Sequence, residues 1–539
     1  MRSNNEVIAP LHAADWRFLL PHPLGKRHER LVVLGGPAGI AARAHALNLA
    51  TVVQTECPPN DSADLVVARH DATDKIDRIA RMVAPAGCLY LEVDRGLRGY
   101  HATSYNRVRR TLTASGLSIL QAYAVEGEFG SQSALIPIDS AAALRWHAGM
   151  PPRTRQEWVS MQIRWAAAHL FSPTKTILSR RFAIVAVAGD MPDPSPSVFR
   201  DRGLLQSLNV DPSDLRGAMI TRGRDRVILV PFSKRTGAAL AVVKVSKHPS
   251  FNQRTVNEHV WLETLCRRYS EAFVRALPQP LALLTKGDLA ISVQSFVPGR
   301  LLSRLARGPV RTLNRRVSDL SLAMDWLIRM HVATETARTP WDDSAHQRWV
   351  ETPFAALTLA AAISPAERAL LDATRQRSLD LRGAALPTVC QHRDLNIWNV
   401  VRERDAIGVL DWEGAIDGLP LCDAFQLVTS WLQAVAFPRR FDGETLALKS
   451  IFTEQPGRRR AVEAAVGAID HYLRGMRFDP RFVPVLLVAL RAELVLRRAE
   501  QKRLLLDGTA LDVEPEYAAF KMLAEECDAV FERRWAPAR

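Results

Sequence analysis

The stretch QHRDLNIWNVVRERDAIGVLDWEGAIDG, residues 391–418, decides how the second half of the chain is read. It sets Asp394 and Asn399 in a short polar loop and Asp411 at the end of an apolar run. Asn399–Val401 and Ile407–Leu410 read as strands, with a turn over Arg402–Ala406 between them. That hairpin returns Asp411 to the loop carrying Asp394, 17 residues earlier. A phosphoryl-transfer centre asks for these groups: one carboxylate beside the attacking hydroxyl, and an amide with a second carboxylate holding Mg²⁺ on the nucleotide phosphates. An HxD triplet alone arises by chance in many chains. HxDxxxxN followed by an apolar strand ending in DWE is far more restrictive.

On these residues the stretch resembles the catalytic and metal loops of the aminoglycoside phosphotransferase and choline kinase group, small-molecule relatives of the protein kinases. Members usually read HGDxxxxN and then IDWE. Here Arg393 stands where they have Gly, the DWE form is kept, and GLPLCDAF with Asp423 resembles the segment that follows. The resemblance implies a two-lobed protein-kinase-like fold, with a small lobe over 206–300 and a helical large lobe over 301–539. It implies Asp394 as the group that accepts or orients the hydroxyl proton, and Asn399 and Asp411 as Mg²⁺ ligands. His392 then orients the loop backbone, and His331 reads as a structural contact.

Upstream, GAMITR, DRVILVPF and AALAVVKV read as strands with Gly223 and Gly237 at their turns. This is a loose likeness to a phosphate-covering loop, with one glycine where protein kinases have three. Lys244 lies inside AVVKV, and a lysine on a buried strand is costly unless its ammonium has partners. The resemblance supplies them as ATP phosphates and a helix glutamate; an edge-strand lysine in water is the competing reading. Glu258 and Glu263 on the next helix both qualify, with Glu258 closer to the family's position. SVQSFVPGR would set the adenine edge against the backbone near Gln294 and Phe296.

Residues 1–150 alternate strands and helices with short turns, which argues for an open α/β sheet. The order of RLVVLGGPAGIAARAHAL, TVVQTE, ADLVVARHDA and MVAPAGCLYLEV resembles a class I S-adenosylmethionine-dependent methyltransferase. The resemblance puts Gly35 and Gly39 in a cofactor loop and Glu56 where an acid could hold ribose hydroxyls; a surface glutamate is the equal alternative for Glu56. Val33 replaces the usual acid before the loop, and Pro37 has no N–H to donate. The fold class read from the whole chain is therefore α/β plus α+β: a methyltransferase-like Rossmann-type sheet fused to a kinase-like fold. Residues 151–205 read as a helical linker region, with a helix over 155–171 and a Pro- and Asp-rich stretch over 189–197.

At 539 residues the chain exceeds one ordinary core, so two or three domains are expected. No run of about 18 uncharged apolar residues is present, so no membrane span is expected. The basic helices leave peripheral membrane contact open. The start lacks a signal-peptide pattern, and six scattered cysteines without a CxxC pair suit a reducing, cytoplasmic setting. The net charge of +14 is dispersed in short arginine clusters at 107–110, 458–460 and 497–503, so no nucleic-acid partner is expected. The expected activity is ATP- and Mg²⁺-dependent phosphorylation of a hydroxyl on a small molecule or glycan. Two alternatives stand beside it: a kinase and methyltransferase that caps a bacterial polysaccharide using S-adenosylmethionine, and a silent nucleotide-binding scaffold.

Overall fold

A computed structural model describes residues 16–21, 27–35, 38–46, 48–56, 60–70, 76–94, 105–127, 133–148, 181–189, 197–200, 202–220, 225–269, 271–308, 311–336, 338–438, 440, 442–453, 457–503, 515–533 and 535. The helix expected over 155–171 and most of the 189–197 stretch lie outside the described residues. The chain divides into two units, Met1–His259 with Gln279–Phe296, and Val260–Pro278 with Val297–Arg539.

The first unit is built on one 12-stranded sheet. Its strands are β1 (His28–Leu34), β2 (Ala50–Gln54), β3 (Ala63–His70), β4 (Val83–Asp94), β5 (Leu117–Glu126), β6 (Ala134–Pro137), β7 (Arg181–Ala188), β8 (Leu215–Ile220), β9 (Arg226–Ser233), β10 (Ala241–Ser246), β11 (Pro280–Lys286) and β12 (Leu289–Ser295). They lie in the order β11-β12-β10-β9-β8-β6-β5-β7-β4-β3-β1-β2. Strands β2, β1, β3 and β4 run parallel. Their runs LVV, LVVA and CLYLEV are almost wholly buried, as expected of strands covered on both faces. From β4 onward every neighbour is antiparallel.

Two features differ from the reading of the sequence. RFAIVAVA, placed within a helical linker, forms β7 in the middle of the sheet between β4 and β5. A continuous apolar run of this length fits a buried strand better than a helix with one wet face, and Phe182–Val187 are all buried. The strands expected of the α/β domain and those of the small lobe also share one sheet, because β6 pairs β8 at Ala134–Ile220 and Leu135–Met219.

Gly35 ends β1 with φ +67°, and a Cβ there would stand 2.6 Å from the Arg69 carbonyl oxygen on β3. Backbone rather than a pliable side chain fills that space. Gly35→Ala should therefore lower stability by about 1–3 kcal/mol through strain at positive φ and a forced shift of β3, read from urea midpoints. An unchanged midpoint would contradict the packing described.

The second unit is mainly helical around one core. Its helices include α1 (Leu302–Arg307), α2 (Leu313–Thr334), α3 (Cys422–Ala436), α4 (Arg459–Gly475), α5 (Phe482–Arg503) and α6 (Pro515–Glu525). Short strands carry the loops: β13 (Arg300–Leu301), β14 (Thr339–Pro340), β15 (Ala385–Leu386), β16 (Val389–Gln391), β17 (Val400–Glu403), β18 (Ala406–Val409) and β19 (Ile416–Gly418). β17 and β18 form the expected hairpin with a tighter turn than read, since Arg402 pairs with Ile407 and Glu403 with Ala406. β16 pairs with β19, so the segments holding Asp394 and Asp411 leave and re-enter one two-stranded ribbon.

Candidate active site

The loop after β16 is held from below by Asp423, buried at the start of α3. Its two oxygens accept the backbone N–H groups of His392 (2.7 Å) and Arg393 (2.8 Å). His331, on α2, places Nε2 3.4 Å from the same carboxylate, while its Nδ1 lies 2.7 Å from the Tyr472 hydroxyl. Burial pushes the Asp423 carboxyl up, but His331 and the His392 N–H outweigh it and hold it below its ordinary value. A carboxylate whose pKa is lowered by folding adds stability above its unfolded value, near 4, and loses it as pH falls through the lower folded value. The urea-midpoint gap between wild type and Asp423→Asn should shrink as pH falls below about 4. A gap that widens in acid would contradict this account.

Arg393 takes φ +63°, a left-handed conformation in which a bulky side chain is strained. This is the position where the resemblance noted in the sequence has Gly in place of Arg. The Arg393 side chain pairs with Glu493, and its carbonyl accepts from Arg497 (2.6 Å) and Gln426 (3.1 Å). Asp411 (φ 71°) and Leu421 (φ 92°) are left-handed too, and Tyr472 receives the Leu421 N–H at 3.2 Å. Three strained residues thus surround one loop pair, a clustering common at functional sites.

Asp394 lies on this scaffold half-buried. Asn399 Nδ2 donates to its Oδ2 (3.1 Å) and to its carbonyl (2.9 Å), and Asn396 Nδ2 donates to its Oδ1 at 3.2 Å. Leu410, the residue before Asp411, joins the two loops: its N–H reaches the Asn399 carbonyl (2.8 Å) and its carbonyl lies 2.8 Å from His392 Nε2. The His392 ring packs edge-on against buried Trp412 at 4.8 Å. Among the described residues the Asn399 side chain hydrogen-bonds through its nitrogen, which leaves the amide oxygen for a cation. An amide oxygen and a carboxylate, the groups that Asn399 and Asp411 carry, are hard ligands of the kind Mg²⁺ accepts when phosphates complete its shell.

In the first unit, Lys244 on β10 donates to Glu258 Oε1 at 2.5 Å. Arg226 on β9 donates to the other oxygen at 2.9 Å. All three are buried, Glu258 completely. Of the two glutamates considered, Glu258 meets Lys244, whereas Glu263 lies 3.2 Å from Arg267 on its own helix. Gln294 on β12 is buried with Oε1 lacking a hydrogen-bond partner among the described residues, an unmet acceptor where an adenine edge is expected. Phe296 follows β12, half-buried and packed against the small apolar cluster that contains Ala218, Val230 and Phe232. Gly223 lies outside the described residues. Gly39 is in the helix Ala38–Ala46 after β1, and Glu56 is exposed just past β2.

Residues not anticipated include Arg226 and Arg498. Arg498 on α5 reaches Asp394 Oδ1 at 3.1 Å and Glu516 on α6 at 3.2 Å. Burial lowers the Arg498 pKa, but Asp394 and Glu516 outweigh it and raise it above the ordinary value. Nothing in local spacing links Arg498 to a loop about a hundred residues earlier; only its place in the 497–503 cluster could have flagged it.

The comparisons with known proteins bear on part of the chain. Residues 234–461, less than half of the 539, match the model of the phosphotransferase enzyme family, APH. That stretch contains Lys244, Glu258, Asp394, Asn399 and Asp411. Solved structures similar to the chain include a glucosamine kinase (16% identity, 58% of this chain and 91% of that one, TM-score 0.32). Another is a thermostable mutant of the aminoglycoside phosphotransferase APH(4)-Ia with AMP-PNP and hygromycin B (13% identity, 63% of this chain and 98% of that one, TM-score 0.38). A third is the macrolide 2'-phosphotransferase MphH from Brachybacterium faecium (16% identity, 57% of this chain and 93% of that one, TM-score 0.32). No curated protein matches the chain. Among the described residues no helix is long and apolar enough to cross a membrane.

Proposed function

We propose that the protein is an ATP- and Mg²⁺-dependent phosphotransferase acting on a hydroxyl of a small molecule. The observation that carries this reading is the loop pair, in which Asp394 is fixed by Asn399 and tied through Leu410 to the turn that presents Asp411. Asp394 orients the acceptor hydroxyl and takes its proton, while Asn399 and Asp411 hold Mg²⁺, which neutralises phosphate charge when bound. Lys244, positioned by Glu258, supplies a cation for the nucleotide phosphates. The family match over 234–461 supports the class of reaction.

The test is transfer of label from γ-labelled ATP to a panel of hydroxyl compounds that includes amino sugars, aminoglycosides, macrolides and oligosaccharides. Transfer that needs Mg²⁺ and disappears in Asp394→Asn is the expected result. Transfer that persists in EDTA would overturn the assignment of Asn399 and Asp411.

A second activity, methyl transfer within a polysaccharide-capping enzyme, has one observation in its favour. Gly35 and Glu56 lie at the carboxyl ends of the adjacent parallel strands β1 and β2, the edge where open α/β sheets take ligands. A melting-temperature rise with S-adenosylmethionine that is lost in Glu56→Ala would support it. No rise would leave Gly35 explained by its packing on Arg69 alone.

A further inference from the structure

The second unit contains two cavities that share lining residues and have no part in the site above. One, of about 520 Å³, is lined by Gly299, Arg300, Arg311, Arg402, Glu403 and Arg404 among others. The other, of about 270 Å³, shares Arg311 and Arg402 and adds Arg315 and Ser318. The larger volume falls in the range of about 300–1,000 Å³ typical of small-molecule sites. Among the described residues five arginines line the two, against Glu403 alone among the carboxylates.

The arginines are organised by a buried carboxylate. Asp319, on α2, is 1% exposed and accepts from Arg311 at 2.6 Å on Oδ1, where Arg402 also pairs. Its Oδ2 and the Arg311 Nε lack a hydrogen-bond partner among the described residues. Arg402 is further fixed by its Nε donating to the Arg404 carbonyl at 2.6 Å and by Asp405 at 3.4 Å. Neighbouring Val401 is buried close to Gly408, so strand alternation sends Arg402 to the opposite face. Arg300, Arg315 and Arg404 are exposed and form no ion pair among the described residues. The positive excess is felt nearby: burial and then Arg300 lower the Arg304 pKa, and burial and then Arg311 lower that of Arg316.

A merely solvated arginine face would not need a buried carboxylate beneath it, since desolvating Asp319 is costly unless it fixes something. Guanidinium planes held in place are pre-organised for two-point contact with an oxyanion. We propose that this cavity is a binding site for a phosphate-bearing small molecule. Arg300, Arg311 and Arg404 take the phosphate oxygens, and Asp319 sets the orientation of Arg311 and Arg402.

The probe is inorganic pyrophosphate, titrated calorimetrically into the full chain without Mg²⁺. The variants are Arg300→Ser with Arg404→Asn, Arg315→Ser as a second exposed change, and Lys244→Met to remove the nucleotide-phosphate cation. Arg404 has φ +54°, so Asn is chosen because it tolerates that conformation. Expected are binding that survives in Lys244→Met, falls at least about tenfold in the Arg300/Arg404 variant at unchanged melting temperature, and falls less in Arg315→Ser. Absence of binding, equal affinity in the Arg300/Arg404 variant, or loss only in Lys244→Met would each overturn the proposal.

Discussion

Asp394→Asn is expected to slow phosphoryl transfer by about 10²–10⁴-fold, the usual contribution of a positioned general base. The substitution keeps the shape of the side chain and an oxygen for Asn399, Asn396 or Arg498 to meet. What it removes is the ability to accept a proton and the negative charge facing Arg498. Asn399 and Asp411 are untouched, so nucleotide affinity should change little. Initial rates and the ATP dissociation constant, measured on the same preparations, separate the two effects. A rate within threefold of wild type would show that Asp394 is not the base.

Glu258→Ala should have the largest effect on stability, about 3–5 kcal/mol, because it takes the carboxylate from two buried cations at once. Lys244 and Arg226 approach different oxygens of Glu258, so both lose that carboxylate in the variant. Lys244→Met is a useful contrast. It leaves the Arg226–Glu258 pair in place, so it should cost less stability while weakening ATP binding. Urea midpoints decide the first claim, and a loss under about 1 kcal/mol in Glu258→Ala would show that water or other groups already neutralise the cations.

The loops that carry the proposed site were legible in the sequence because their residues lie close to one another along the chain. Asp394, Asn399 and Asp411 fall within 18 residues, and the hairpin between them is written in alternating apolar positions. Lys244 and Glu258 are one strand and one helix apart, so the strand's burial sufficed to suggest a partner. Arg226 and Arg498 were not legible, because a guanidinium arriving from another element leaves no periodic trace. The strained backbone at Arg393 was half legible: the replaced glycine pointed to the position, whereas φ +63° gives the reason. The strand β7 was missed for another reason. It follows a stretch with helical spacing, and a short apolar run does not announce whether it is helix or central strand until its neighbours are known.

Calorimetric titration of the full chain with ATP, in Mg²⁺ and then in EDTA, tests the central claim most directly. The account predicts binding that requires Mg²⁺, is lost in Asp411→Ala and is weakened in Lys244→Met. No heat of binding with Mg²⁺ present, or equal affinity for wild type and Asp411→Ala, would contradict it.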